Sequence, residues 1–216
     1  MLSVLTVSNI VSESLSLQDR ILLENIPVEG NLLRVIIDAM KQMRCISFQY
    51  QKYKDDVPTE RLIIPCCIKL FRQRWYVIEY NPLNPKVPFK AFAFDRISNP
   101  RISDSPIELP VDFNAEEIFR DSFGIFISNE EKPQLIVIRA YGDERKYIRD
   151  LPLHHSQKVI LEGEEYTDYK YFVSPTIDFI NELLSRGNRI EVLKPGSLRE
   201  KLRDEHLKAA KRYEKM

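Results

Sequence analysis

Basic and aromatic residues interleave along two segments of this sequence, 72–80 and 89–97. Side chains of an extended strand alternate between two faces, so Tyr76 is expected to share a face with Ile78 and Tyr80. The planar fork of arginine binds phosphate oxygens, and aromatic rings stack on bases, so this pattern indicates a surface for phosphate and base binding. The candidate residues are Tyr50, Arg61, Lys69, Arg72, Arg74, Trp75, Tyr76, Lys90 and Arg96.

The same residues also have a purely structural interpretation. Small barrels need large aromatic side chains to fill their interior, and basic groups are common on protein surfaces. On composition alone this interpretation is favoured. Asp95 or another acid could also hold Arg96 in a structural ion pair. Residues 89–97 are predicted to form one strand, in which a single face carries Lys90, Phe92, Phe94 and Arg96.

Motifs of catalysis and metal binding are absent from the sequence. It has no GxxxxGK[ST], GxGxxG, HExxH or GxSxG pattern, and its six glycines are scattered. The adjacent His154 and His155 would point to opposite faces of a strand, so each is expected to be structural or solvent-facing. Cys45, Cys66 and Cys67 fit neither a disulfide framework nor a metal site and indicate a reducing compartment. We therefore expect no enzyme, no cofactor and no metal.

Charge and hydropathy limit the partners and the location. The 32 Lys and Arg balance 32 Asp and Glu, so only a local basic patch could attract nucleic acid or an anionic membrane. The chain has no apolar stretch long enough to cross a bilayer, and residues 1–10 lack the basic and apolar runs of a signal peptide. We expect a cytoplasmic protein with no membrane partner.

Hydrophobic periodicity divides the 216 residues into four parts. Residues 1–30 are predicted to form a helical arm or linker. Residues 31–105 combine one helix with about five short strands, which predicts a small β-barrel of the SH3 or Sm type. Residues 106–133 are predicted to be a bridging segment. Residues 134–216 follow the order β-α-β-β-α-β and end in a helix, which is typical of ferredoxin-like folds, so the predicted fold class is α+β.

Three separated motifs resemble the WYL domain of bacteria, a family named after a Trp-Tyr-Leu tripeptide. Tyr50 also matches the tyrosine of the family's first strand. Residues 154–157 and 187–195 resemble elements of the family's C-terminal extension, and the likeness covers roughly residues 31–213. The motifs are Arg61-Leu62-Ile63-Ile64-Pro65, Arg74-Trp75-Tyr76-Val77-Ile78 and Phe92-Ala93-Phe94-Asp95-Arg96-Ile97.

This resemblance implies an Sm-like SH3 barrel behind a winged helix-turn-helix, followed by a ferredoxin-like extension. Members are thought to sense a ligand, in some cases a nucleotide or single-stranded nucleic acid, and to switch the DNA-binding part, often as a homodimer. The expected partners are such a nucleotide or nucleic acid, a second copy of the chain, and duplex DNA through a missing or separate helix-turn-helix. Residues 1–30 resemble the connector behind that motif, so the chain is expected to be either a fragment of a regulator or a short one.

The sequence departs from the family pattern in the predicted site. Val77 replaces the third letter of the tripeptide, and Lys90 and Ala93 stand where the family often has basic residues. Lysine keeps the charge but loses the bidentate fork of arginine. We expect Arg61 and Arg96 to bind phosphate, and Tyr76 to stack on a base or donate from its hydroxyl. The alternative function is a protein–protein interaction or dimerisation module without a small ligand.

Overall fold

The computed structural model describes residue 20 and residues 30–127 and 131–214. The predicted helical arm or linker therefore lies outside the described residues, apart from residues 20 and 30. The described residues form two antiparallel sheets with flanking helices, an α+β arrangement.

The first sheet follows a helix and contains five strands. Its elements are α1 (Gly30–Lys41), β1 (Arg44–Tyr50), β2 (Thr59–Phe71), β3 (Arg74–Tyr80), β4 (Phe89–Ala93) and β5 (Ile97–Pro106). The strands pair antiparallel in the order β4-β3-β2-β1-β5. Among the strands described, β4 and β5 are consequently the two edges.

Alternation of apolar and polar residues turns one face of β1 toward a core. Ile46 and Phe48 are buried, whereas Gln49 is exposed. Leu32 and Ile36, which share one face of α1 at helical spacing, pack into the same cluster. Each large apolar side chain buried in this way contributes about 1.5–3 kcal/mol to stability. The local patterns thus explain why α1 lies on this sheet.

A second, smaller core lies on the other side of β2 and β3. The register of β2 against β3 shifts between Pro65 and Cys67, a bulge that bends the strand. Beyond it Cys66 and Cys67 pack with Ile78 of β3 and with Ile125 from the segment that follows the sheet. All three cysteines of the chain are free and buried. As a result β3 is covered on both of its faces.

The predicted continuous strand over residues 89–97 is wrong. The strand β4 ends at Ala93, a 3-10 turn follows at Phe94–Arg96, and β5 begins at Ile97. The turn breaks the alternation of faces, so Arg96 does not continue the row that begins with Lys90 and Phe92. Phe92 and Phe94 both enter the first core, whereas Arg96 lines a cleft.

The second sheet contains four strands with helices on one face. Its elements are β6 (Gln134–Tyr141), α3 (Glu144–Asp150), β7 (Lys158–Glu162), β8 (Tyr166–Val173), α4 (Ile177–Ser185), β9 (Ile190–Lys194) and α5 (Gly196–Tyr213), and a short helix α2 (Ala115–Phe119) precedes them. The strands pair antiparallel in the order β7-β8-β6-β9. Ile138 of β6, Tyr171 of β8 and Phe179 of α4 are fully buried in its core. The described helices include none long and apolar enough to cross a membrane.

The two adjacent histidines meet at one carbonyl group, contrary to the expectation that they face apart. They lie in a turn before β7, not in a strand, and their rings are 4.2 Å apart. Nε2 of His154 and Nε2 of His155 lie 2.9 and 2.6 Å from the carbonyl oxygen of Arg120. Nδ1 of His154 accepts from the backbone N–H of Ser156. The pair therefore ties the segment between the sheets to the second sheet.

Replacing His154 with glutamine is expected to reduce the loss of stability in mild acid. Burial, and then the neighbouring His155, lower the pKa of the His154 imidazole. The unfolded chain therefore takes up this proton first, so the free energy of unfolding falls as the pH drops below about 6.5, the ordinary value. Urea unfolding of both proteins at high and low pH measures the difference. Equal pH dependence in both would contradict it, and a glutamine at the exposed His206 is the control.

Candidate functional site

A cleft of about 500 Å³ opens between the first sheet and the segment that leaves it. One wall is formed by β3, β4 and the 3-10 turn, and the other by residues 125–127 together with a side chain of α4. It brings together five of the nine sequence-predicted residues, which are Tyr50, Arg74, Tyr76, Lys90 and Arg96.

Two alanines provide the space for this cleft. Ala91 and Ala93 lie opposite Ile78 and Tyr76 in the register of β3 and β4, and both alanines line the cleft beside Tyr76. The hydroxyl of Tyr50 accepts a hydrogen bond of 3.4 Å from the backbone N–H of Ala93. The short alanine side chains leave the cleft open beside the half-buried Tyr76, so a flat ligand could stack there.

Arg96 is held by an aromatic ring, whereas its neighbour Asp95 pairs elsewhere. The guanidinium carbon of Arg96 lies 3.6 Å from the centre of the Tyr53 ring. Its Nε–H is buried and has no hydrogen-bond partner within the described part of the chain. Asp95 contacts Arg74, with Oδ2 and Nη2 3.3 Å apart. That pair is exposed and worth little. The unpartnered Nε–H leaves Arg96 a hydrogen-bond donor for a bound anion.

Arg61 lies in an adjoining cleft of about 450 Å³, which it shares with Lys90 and Glu79. The Nε–H of Arg61 is also buried and without a partner among the described atoms. Burial raises the pKa of the Glu79 carboxyl, against the opposing effect of Lys90 and Arg61. Burial, and then Arg61, lower the pKa of the Lys90 ammonium. Lys90 lines both clefts, so it connects the positions of Arg61 and Arg96.

Three of the sequence-predicted residues are placed in structural contacts. The ammonium of Lys69 donates to the carbonyl oxygen of Gly124 at 2.7 Å, and burial lowers the pKa of Lys69 to about 8. Arg72 forms an ion pair of 2.6 Å with Glu182 of α4. Trp75 packs against the first core and Phe94. Arg72 and Trp75 also line a separate groove of about 470 Å³.

The far wall of the cleft was not found from the sequence. It is formed by residues 125–127 of the segment 121–127, which we call the strap, and by Asp178 at the start of α4. Oδ2 of Asp178 accepts from the backbone N–H groups of Ile125 and Phe126, at 2.8 and 3.2 Å. Gly124, directly before Ile125 in the chain, has a φ of +83°. The strap thus joins the cleft to the second sheet through a contact between residues 53 positions apart, which leaves no local pattern.

Two domain families account for most of the chain. Residues 31–102 match the WYL domain, and residues 132–210 match the WCX domain. This chain belongs to the WYL domain family. The WYL domain supplies one wall of the cleft, and the far wall comes from residues 125–127 between the two domains and from Asp178 of the WCX domain.

Solved structures give a more distant likeness. A chain described as "Proteasome accessory factor B/C (PafBC) of Arthrobacter aurescens" is 16% identical with a TM-score of 0.37, and the match covers 80% of this chain and 26% of that one. A chain described as "Crystal structure of a CRISPR Cas-related protein" is 13% identical with a TM-score of 0.52, covering 86% and 52%. This chain thus spans about a quarter of the length of the first of these proteins and about half of the length of the second. Among curated proteins, none matches it.

Proposed function

We propose that this chain is the ligand-sensing, regulatory part of a bacterial transcription regulator, and that its WYL domain binds a nucleotide or single-stranded nucleic acid. The observation that carries the proposal is the cleft in which Arg74, Lys90 and Arg96 meet Tyr50 and Tyr76. Cations supply phosphate contacts and an open aromatic face supplies base stacking.

The proposed roles follow from what each side chain already contacts. Arg96 and Arg61 bind phosphate, because each has a buried Nε–H that lacks a partner within the described residues. Tyr76 stacks on a base above Ala91 and Ala93. Lys69, Arg72 and Trp75 support the shape of the site, since their side chains are committed to Gly124, Glu182 and the core.

The proposed architecture is an Sm-like barrel followed by a ferredoxin-like domain. In the first sheet β5 returns to pair with β1 after the 3-10 turn, which supports a strongly curved sheet. In the second, β6 and β7 flank β8 and are connected through α3, which supports the split β-α-β arrangement. We propose that the module senses a ligand and does not catalyse a reaction.

The remaining expectations concern location and partners. We propose that the protein acts in the cytoplasm as a homodimer, and that duplex DNA is reached through a helix-turn-helix that is missing from this chain or lies on a separate one. The alternative proposal is an interaction module without a small ligand. It is supported by the exposed apolar side chains of the edge strand β7, which are Val159, Ile160 and Leu161.

Short labelled single-stranded DNA and RNA are expected to bind this chain, with an affinity that falls steeply as salt is raised. The reason is that phosphate contacts release condensed counterions, so the logarithm of the association constant falls linearly with that of the salt concentration. Fluorescence anisotropy over a salt series measures both quantities, and mononucleotides added as competitors separate a nucleotide ligand from a longer strand. A chain that binds neither would contradict the proposal and favour the interaction module.

A further inference from the structure

The second sheet leaves one of its two faces open. The helices α3, α4 and α5 all pack on the other face, where Ile138 and Tyr171 are buried. Successive side chains of a strand point to opposite faces, so the residues that alternate with these lie on the open face. Two of them, Leu135 and Phe172, are 52% and 53% exposed and lie opposite each other on the central strands β6 and β8. Apolar side chains that gather on an open face indicate an interaction site more strongly than scattered ones do.

A row of three lysines crosses the same face beside this pair. Lys158 of β7 lies opposite Lys170 of β8. Val137 of β6 lies opposite both Lys170 and Lys194 of β9. Neighbouring strands are about 4.8 Å apart, so the row extends over about 14 Å from β7 to β9. Three strands of the sheet thus contribute positive charge to one line across it.

The acidic groups beside this row are bound by other residues. The carboxylate of Asp168 accepts two hydrogen bonds from Arg139, at 2.7 and 3.0 Å. The carboxylate of Glu191 accepts a hydrogen bond of 2.8 Å from the hydroxyl of Tyr141 and contacts Arg199. Among the described residues, no acid forms an ion pair with any of the three lysines. Two lysines that face each other on neighbouring strands repel, so a bound anion would stabilise this part of the sheet.

We propose that the open face is a binding site for single-stranded nucleic acid, separate from the cleft of the WYL domain. The phosphates contact the lysine row, and the bases stack on Phe172 and on the apolar surface of Leu135. Phe172 follows Lys170 by two residues on the same face of β8, about 7 Å away, so both can contact one nucleotide chain. Four-stranded sheets with exposed aromatic rings bind unpaired bases by stacking. The residues of this site lie within the WCX domain, so the inference does not rest on the proposed function.

The aromatic groups favour nucleic acid over an acidic peptide. A row of cations alone attracts any polyanion, whereas flat rings beside the row match bases, which stack on them. A second aromatic group lies beyond the ion pair of Arg139, where the ring centres of Tyr141 and Tyr166 are 6.4 Å apart. The guanidinium carbon of Arg139 lies 3.8 Å from the centre of the Tyr166 ring. Aromatic surface therefore lies on both sides of the lysine row.

The test uses the 216-residue chain with Arg96→Ala, in which the cleft is weakened, and the anisotropy of a labelled single-stranded oligonucleotide over a salt series. This chain is expected to keep a salt-dependent binding. The added pair K158A and K170A removes two phosphate contacts, so the slope of the logarithm of the association constant against that of the salt concentration should become about 1.4 shallower. F172A removes a stacking surface, so it should raise the Kd at least about fivefold and leave this slope unchanged.

Matched controls separate this site from a general effect of charge or of apolar surface. The pair K132A and K201A removes two exposed lysines that line a cavity beside α4 and α5, away from the open face. L207A removes an apolar side chain of α5 that is 52% exposed. Both controls should bind the oligonucleotide as their parent chain does. The same sequence as duplex DNA should bind less tightly, because its bases are not free to stack on the sheet.

Two results would overturn the proposal. One is the absence of binding in the Arg96→Ala chain, or an affinity that the lysine and phenylalanine substitutions leave unchanged. The other is a loss in the lysine variant with none in F172A and equal competition by polyglutamate, which would assign the face to an acidic peptide. A failure of the proposed function has a different signature. In that case the Arg96→Ala chain binds as tightly as the unchanged chain, while the pair K158A and K170A still weakens binding.

Discussion

Replacing Gly124 with alanine is expected to lower the free energy of unfolding by roughly 2–5 kcal/mol. A left-handed backbone costs an L-residue about 1–2 kcal/mol, and overpacking adds about 1–3 kcal/mol. The φ of Gly124 is +83°, and a Cβ there would lie 2.4 Å from Oδ2 and 2.7 Å from Cβ of Asp178. Equilibrium unfolding in urea measures the loss.

Gly142 provides the matched control for this substitution. Its φ is also positive, at +53°, but a Cβ there meets nothing within 4 Å. Alanine at 142 therefore reports the cost of the backbone conformation alone, and the difference between the two variants reports the contact of the strap with Asp178. A Gly124 variant no less stable than the Gly142 variant would contradict the packing of the strap against α4.

Replacing Arg96 with alanine is expected to weaken the binding of single-stranded nucleic acid by about 1–3 kcal/mol, or roughly 5- to 150-fold in Kd. A hydrogen bond between the guanidinium and a phosphate is charge-assisted and therefore stronger than a neutral one. Arg96 is positioned for it by the Tyr53 ring, and the ion pair of Asp95 is formed with Arg74. Anisotropy titration at constant salt measures the change.

Two further substitutions make this test specific. Arg101 is exposed on β5 outside the cleft, so its alanine variant should bind almost normally although the net charge changes equally. Lysine at 96 keeps the charge but loses the planar fork, so it should fall between the two. Unchanged affinity of the Arg96→Ala chain, with its near-ultraviolet circular dichroism intact, would remove Arg96 from the site.

The stability of the strap and the binding of a ligand in the cleft are expected to depend on each other. Within the strap, Gly124 lies against Asp178, and Ile125 and Phe126 form part of the far wall of the cleft. A ligand that contacts this wall would raise the free energy of unfolding, because a ligand that binds only the folded chain adds to its stability. The cleft therefore links the WYL domain to the WCX domain through a defined contact.

Local elements could be predicted from the sequence because burial follows the period of the backbone. The alternation around Ile46 and Phe48 predicted a strand, and the spacing of Leu32 and Ile36 predicted a helix, and both are present as β1 and α1. Three short motifs were enough to recognise the WYL domain, since they depend only on residue order. The basic and aromatic residues of the cleft were likewise visible as types.

Their grouping was decided only by the tertiary structure. The sequence could not show that a 3-10 turn would redirect Arg96, or that Lys69 would be taken by the carbonyl of Gly124. Nor could it place Asp178 against the strap. The physical reason is that periodicity reports which face of an element is buried, whereas a cleft forms from elements far apart in sequence, whose meeting depends on how whole surfaces pack.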